Sequence, residues 1–234
     1  MTKIAIMGAM EEEIQPLLKH FSKVNTIEYA NNKFYEVSYE GLEVVIAYSK
    51  IGKVFASLTA STLIEKFSCD TLLFSGVAGG INPKLKIGDL ILATKLCQYD
   101  LDITDFGHPH GFVPGGKVFT SCDETLLSLA KVVAKENNLE VSEGIIATGD
   151  QFVSSNEKKQ FIQKTFNADA LEMEGASVAT VCDNLGVPFL ILRSISDTAN
   201  ESGTFDFDEF LHSSAKTSAD FMISILKKLK NLKS

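Results

Sequence analysis

Three groups of residues carry chemistry beyond what packing requires. Glu11-Glu12-Glu13 follows a short apolar run, Lys3 to Met7, that ends at Gly8. Acids in the first turn of a helix meet the positive end of its dipole. That accounts for Glu11 and Glu12, whereas Glu13 can also swing back toward the strand end. Glu172 and Glu174 stand two apart, so on a strand they share a face; the plainer alternative is that Glu174 caps the helix that follows. Asp197 comes after Ser194 and Ser196 at the end of the apolar run Phe189-Leu190-Ile191-Leu192, either as an ordinary cap or as a group held at a site. Arg193 lies in the same run, and a buried guanidinium requires a carboxylate. Carboxyl groups gathered in one place can divide the work of general acid and general base.

The elements that must gather them follow from apolar periodicity. Strands are predicted at Lys3 to Met7, Thr71 to Phe74, Asp89 to Leu96, Glu143 to Thr148, Ala170 to Met173 and Val187 to Ile195, with a hairpin of Phe34 to Tyr39 and Leu42 to Tyr48 around Glu40-Gly41. Helices are predicted at Glu11 to Phe21, Gly52 to Phe67, Thr125 to Asn137, Glu157 to Phe166, Glu174 to Leu185 and Phe207 to Leu229. Pro16 is acceptable if it lies in the first helical turn. Ser75 to Gly80 reads as a glycine loop after a strand. It is neither GxGxxG nor GxxxxGK[ST], so it supplies close backbone approach and not a phosphate cradle. A long loop, about Gln98 to Thr120, is rich in Gly, Pro, His and Phe, which marks it as functional. Strands alternating with helices predict one α/β domain over residues 1–234, a three-layer sandwich around a twisted, mainly parallel mixed sheet. In such sheets ligands bind outside the carboxyl ends of the strands. Five predicted strand ends carry polar or glycine-rich residues: Met10 to Glu13, Ser75 to Gly80, Gly149 to Val153, Glu172 to Gly175 and Ser194 to Asp197. Parallel strands would bring all five to one rim.

Composition narrows the classes. The 234 residues include 22 basic and 30 acidic ones, a net charge of −8. An acidic chain repels phosphate backbones and anionic lipid, so neither nucleic acid nor a membrane surface is an expected partner. Arg193 is the only arginine, so no arginine cluster can clamp phosphate within one subunit. Cys69, Cys97, Cys122 and Cys182 lack zinc or redox spacing and read as core residues of a cytoplasmic protein. No signal peptide or membrane span is expected. His108 and His110 flank Pro109 in the long loop, but no metal site is expected there.

The motifs GAMEEE at 8–13, SKIGKV at 49–54, SGVAGG at 75–80, GDQFV at 149–153, EMEGA at 172–176, RSISD at 193–197 and FDEF at 207–210 occur in that order. Together they resemble the 5′-methylthioadenosine/S-adenosylhomocysteine nucleosidases of the purine nucleoside phosphorylase superfamily, over essentially the whole chain. The resemblance implies a nucleoside phosphorylase-like fold, a homodimer, and hydrolysis of the adenine–ribose bond with no metal and no organic cofactor. It implies that Glu13 activates water and that Asp197, oriented by Ser196, is the acid at the purine. By the same likeness Glu174 holds ribose hydroxyls, Met173 packs beside the sugar, Phe152 stacks on adenine, Val153 offers backbone groups to the purine edge and Gly79 lies against the ligand. Arg193, Met10 and Phe207 complete the substrate set, while Phe106 and Pro114 would reach the 5′-substituent pocket of the partner subunit. Arg193 is expected to keep Glu13 or Asp197 charged. Val77 and Gln151 depart from the commoner serine, and alanine or serine, which leans toward the branch that also cleaves 6-amino-6-deoxyfutalosine in menaquinone synthesis. Three rivals compete. A purine nucleoside phosphorylase would need Lys50 and Lys53 in place of arginines, a non-catalytic nucleoside binder would not need both acids, and a nicotinamide dehydrogenase would need an absent glycine fingerprint.

Overall fold

The structure, a computed structural model, describes residues 3–198 and 207–233. The chain opens with β1 (Lys3–Gly8), α1 (Glu11–Leu18), β2 (Asn25–Tyr29), β3 (Asn32–Tyr39), β4 (Leu42–Tyr48) and α2 (Lys53–Ser61), which continues as a π-helical turn, Thr62–Lys66. It proceeds through β5 (Thr71–Gly80), β6 (Leu90–Gln98), a short 3-10 turn (Thr104–Phe106), β7 (Thr120–Ser121), α3 (Glu124–Glu136), β8 (Val141–Thr148) and α4 (Asn156–Phe166). It closes with β9 (Ala170–Glu172), α5 (Gly175–Leu185), β10 (Phe189–Thr198) and α6 (Phe207–Lys233).

The strands form one sheet in the order β10-β6-β8-β9-β5-β1-β4-β3-β2, and β10 also pairs with β5. Strands β5, β10, β6, β8 and β9 therefore close on themselves as a ring, and β1, β4, β3 and β2 extend from it as a wing. Ile4 to Met7 of β1 and Leu190 to Leu192 of β10 are fully buried, as expected of apolar strands covered on both faces. Helices α1 and α3 pack on α6, and α2 packs on α5.

The fold is mixed α/β as expected, but the sheet is not mainly parallel. Parallel pairs are β1–β4, β1–β5, β10–β5, β6–β8 and β8–β9. Antiparallel pairs are β10–β6, β5–β9, β2–β3, β3–β4 and β6–β7. The link from Ile81 to Asp89 is too short for a helical crossover, so β6 returns against the direction of β5 and β10.

Ser75 to Gly80 is not a loop but the second half of β5, with Ser75 opposite Leu192 and Gly80 opposite Thr198. Its glycines are there for space. A Cβ on Gly76 would lie 3.0 Å from both Arg193 Nη1 and Glu13 Oε1, and one on Gly79 3.1 Å from Asp197 Oδ2. Helix α1 stops at Leu18, short of Phe21, with Pro16 inside it and past the first turn; the missing N–H removes a helical hydrogen bond just before the end. Strand β2 had no apolar signal because it is a largely exposed edge strand.

Candidate active site

Glu13 is held by the backbone around it. Its Oε2 accepts hydrogen bonds from the Ala9 and Met10 amides at 2.5 and 3.0 Å, and its Oε1 accepts one from Val77 of β5 at 3.2 Å. The third acid of the run thus turns back from α1 onto the strand ends. Burial pushes its carboxyl above the usual range, opposed by the Arg193 charge and those three amides. A carboxylate raised toward neutral pH is suited to take a proton from water.

Asp197 arrives by a different device. The β5–β10 register slips between Ile195 and Asp197, so Ser196 is an extra residue opposite Ala78 and Gly79. Neighbouring residues on a regular strand face opposite ways, and the bulge lets both Ser196 and Asp197 face the same cavity. Ser196 Oγ lies 2.9 Å from Asp197 Oδ1. The carboxyl is 38 % exposed, with Lys159 Nζ 3.7 Å from Oδ2. Its immediate surroundings are therefore polar.

Arg193 keeps neither Glu13 nor Asp197 as its ion-pair partner; it binds Glu172. Its Nη2 donates to Glu172 Oε2 at 2.7 Å, with both side chains almost fully buried, and its guanidinium lies 4.0 Å from the centre of the Phe74 ring. The same Glu172 oxygen accepts the Glu174 and Gly175 amides at 3.0 and 2.7 Å, and Thr148 Oγ1 bonds the other. Glu172 therefore caps α5 in place of Glu174, and β9 ends before the two can share a strand face. This role went unread in the sequence, because it depends on β10 lying across the sheet from β9. Removing one partner of such a pair leaves an uncompensated buried charge. Arg193→Met is expected to destabilise the fold by about 3–5 kcal/mol, read as a lower urea midpoint; an unchanged midpoint would show the pair to be dispensable.

With the cap supplied by its neighbour, Glu174 is free to face the cavity, where its Oε1 accepts the Gly52 amide at 2.9 Å. Burial and the adjoining Glu172 charge raise its carboxyl to about 7, against Arg193 and Gly52, which lower it. A carboxyl raised in the folded state adds stability below its ordinary value of 4.5 that is lost as pH rises through about 7. Glu174→Gln should then melt progressively higher than the parent chain between pH 5 and pH 8 by about a few degrees. A melting-temperature difference that stays flat over that range would contradict this.

Met10, Glu13, Gly79, Phe152, Val153, Met173, Glu174, Arg193, Ser196 and Asp197 line one cavity. The five strand ends do meet, although β8 and β9 run against β5 and β10, because β5 is long enough for Gly79 and Gly80 to cross Leu171 and Ala170. Val77 and Gln151 also line it, with Ile51 from the SKIGKV segment. Phe152 stands at the mouth, 79 % exposed, while Val153 is buried. Phe106, 82 % exposed, and Pro114, also exposed, lie in the long loop and do not line this cavity. Phe207 begins α6, and its side chain lies outside the described residues.

The family model for the phosphorylase superfamily matches residues 3–227. The chain belongs to that superfamily. Within the superfamily it is 58 % identical, over 98 % of its length and all of the relative's, to an aminodeoxyfutalosine nucleosidase of Campylobacter jejuni. It is 38 % identical, over 97 % of its length and all of the relative's, to a 5′-methylthioadenosine/S-adenosylhomocysteine nucleosidase of Bacillus thuringiensis. The crystal structure of a Campylobacter jejuni 5′-methylthioadenosine/S-adenosylhomocysteine nucleosidase superposes with a TM-score of 0.96 at 58 % identity, covering 97 % of this chain and 100 % of that one. A futalosine hydrolase of Helicobacter pylori superposes with a TM-score of 0.93 at 48 % identity, covering 97 % and 98 %. Among the described residues of this superfamily member, no helix is long and apolar enough to cross a membrane.

Proposed function

We propose that the chain is an N-glycosyl hydrolase that cleaves the adenine–ribose bond of 5′-substituted adenosines, with 5′-methylthioadenosine, S-adenosylhomocysteine and 6-amino-6-deoxyfutalosine as its substrates. The observation that carries this reading is the meeting of Glu13 and Asp197, from opposite ends of the chain, on one cavity. Breaking an N-glycosidic bond builds positive charge on the ribose and negative charge on the purine, which two carboxyl groups in different roles can serve. Glu13 takes a proton from the attacking water and stabilises the cationic sugar. Asp197 shares or donates a proton at the purine N7. Glu174 accepts hydrogen bonds from ribose hydroxyls, Phe152 stacks on the base, Val153 presents its backbone to the purine edge, and Met173 packs beside the sugar. Val77 and Gln151, on the cavity wall, tune the preference among the substrates.

Phosphorolysis finds no support in the cations. Arg193 is committed to Glu172. Lys53 Nζ is bound to Asp100 at 2.7 Å, and Lys50 Nζ to the Asn31 carbonyl at 3.0 Å. Adenine release in phosphate-free buffer, with free ribose sugar as the second product, tests the reading on all three nucleosides. Release that requires phosphate and yields a sugar phosphate would replace it with a phosphorylase.

The reading extends to a cytoplasmic homodimer. Ile51, Val54, Phe55 and Leu58 expose apolar side chains on and just before α2, and Ile51 also lines the cavity; such a patch marks a protein interface. A partner seated there would lend Phe106 and Pro114 to the 5′-substituent pocket. The four cysteines are free and buried, and burial pushes their thiols up to about 12, in keeping with a reducing compartment.

A further inference from the structure

Lys159 is placed where a lysine is hard to accommodate. It is buried, and it sits in the first turns of α4, whose N-cap is Ser155. A positive charge there opposes the helix dipole, and its burial is costly without a partner. Its neighbour Lys158 turns outward, to Gln151 and the Tyr99 ring. Lys159 turns inward instead, and Nζ comes to 3.7 Å from Asp197 Oδ2. The other carboxyl oxygen, Oδ1, faces Ser196 Oγ at 2.9 Å, and Gly79, without a side chain, lets the carboxyl lie against β5. Each oxygen of Asp197 thus has its own polar neighbour. Lys159 does not line the cavity that holds Glu13 and Asp197. It lines a separate cavity of about 260 Å³ with Asn82, Asn156, Gln160 and Gln163. The other charged groups on the active-site cavity are Glu13 from α1, Glu172 and Glu174 at the β9–α5 junction, and Arg193 from β10. Glu172 already holds Arg193.

We propose that Lys159 is a positioning residue for the purine acid: its ammonium fixes the Asp197 carboxyl and balances the negative charge left there when the proton passes to the departing base. The inference rests on the reading of Asp197 given above. In the step, the Asp197 O–H bond breaks and an N–H bond to the purine forms. The electron pair of the scissile C–N bond stays on the purine, and the new carboxylate lies beside Nζ. Loss of the ammonium disfavours that carboxylate and so slows the step that forms it.

Lys159→Met is expected to lower kcat about tenfold with little change in KM, and to regain most of that loss on a nucleoside whose leaving group departs without protonation. Lys159→Arg should restore kcat. If thermal melts show Lys159→Met to be unfolded, Lys159→Gln removes the charge with a polar side chain and is read the same way. A folded neutral variant that keeps the parent kcat, or that loses as much on the nucleoside whose leaving group needs no proton, overturns the inference. Asp197→Asn in the same assay separates the two readings. Near-normal turnover in that variant removes Asp197 as the purine acid, whereas an inactive Asp197→Asn beside an unimpaired Lys159→Met removes Lys159 alone.

Discussion

Glu13→Gln is expected to lower turnover by about a hundredfold or more, within the range for a lost acid or base, while the fold stays intact. Two effects act together. The amide cannot take a proton from water, so the nucleophile is no longer activated. The side chain also no longer matches its cradle: Glu13 offers two accepting oxygens to the amides of Ala9, Met10 and Val77, whereas glutamine must turn an NH₂ group toward one of those donors. The raised carboxyl of Glu13 adds a pH signature. Activity should fall as pH drops through a value above the ordinary carboxyl range, and this acid limb should vanish from the residual activity of the variant. Steady-state rates across pH measure both, and a purified, folded Glu13→Gln protein turning over at near the parent rate would remove Glu13 as the base.

Asp197→Asn should cost a comparable factor, about a hundredfold or more, for a complementary reason. Asparagine keeps an oxygen for Ser196 Oγ, so the bulge and the local hydrogen bond at 2.9 Å can persist, but it has no acidic proton to give the purine. The loss should therefore fall on kcat more than on KM, because the departing base, and not the bound substrate, needs the proton. A nucleoside with a leaving group that departs without protonation should recover much of the rate. If it does not, and the variant is folded, the proton at the purine is not what Asp197 supplies.

The strand-end segments were legible because glycine, serine and acidic residues interrupt apolar runs there. Glu13 stood out from Glu11 and Glu12 because one acid of a first-turn run was free to turn back, and it does so. What could not be read was anything set by partners far along the chain. SGVAGG looked like a turn because glycine usually marks one. It is a strand whose missing side chains make room for the Glu13, Arg193 and Asp197 groups packed against it, and that requirement exists only once β10 lies beside β5. The partner of Arg193 was hidden for the same reason, since Glu172 reaches it across elements. Lys159 gave no signal at all; on a polar, amphipathic helix a lysine reads as solvated surface until the neighbouring strand is in place. The direction of β6 was legible in principle from the short link before it, but strand–helix alternation elsewhere outweighed it.

The closed ring has a consequence for synthesis. Strand β10 is the last of the described strands to leave the ribosome, yet it is inserted between β5 and β6. Until it emerges, both neighbours present bare ladders of N–H and C=O groups that can recruit another chain. A nascent or truncated polypeptide ending before Phe189 is therefore prone to aggregate, and the meeting of Glu13 with Asp197 and the protection of those edges come into being in the same late event.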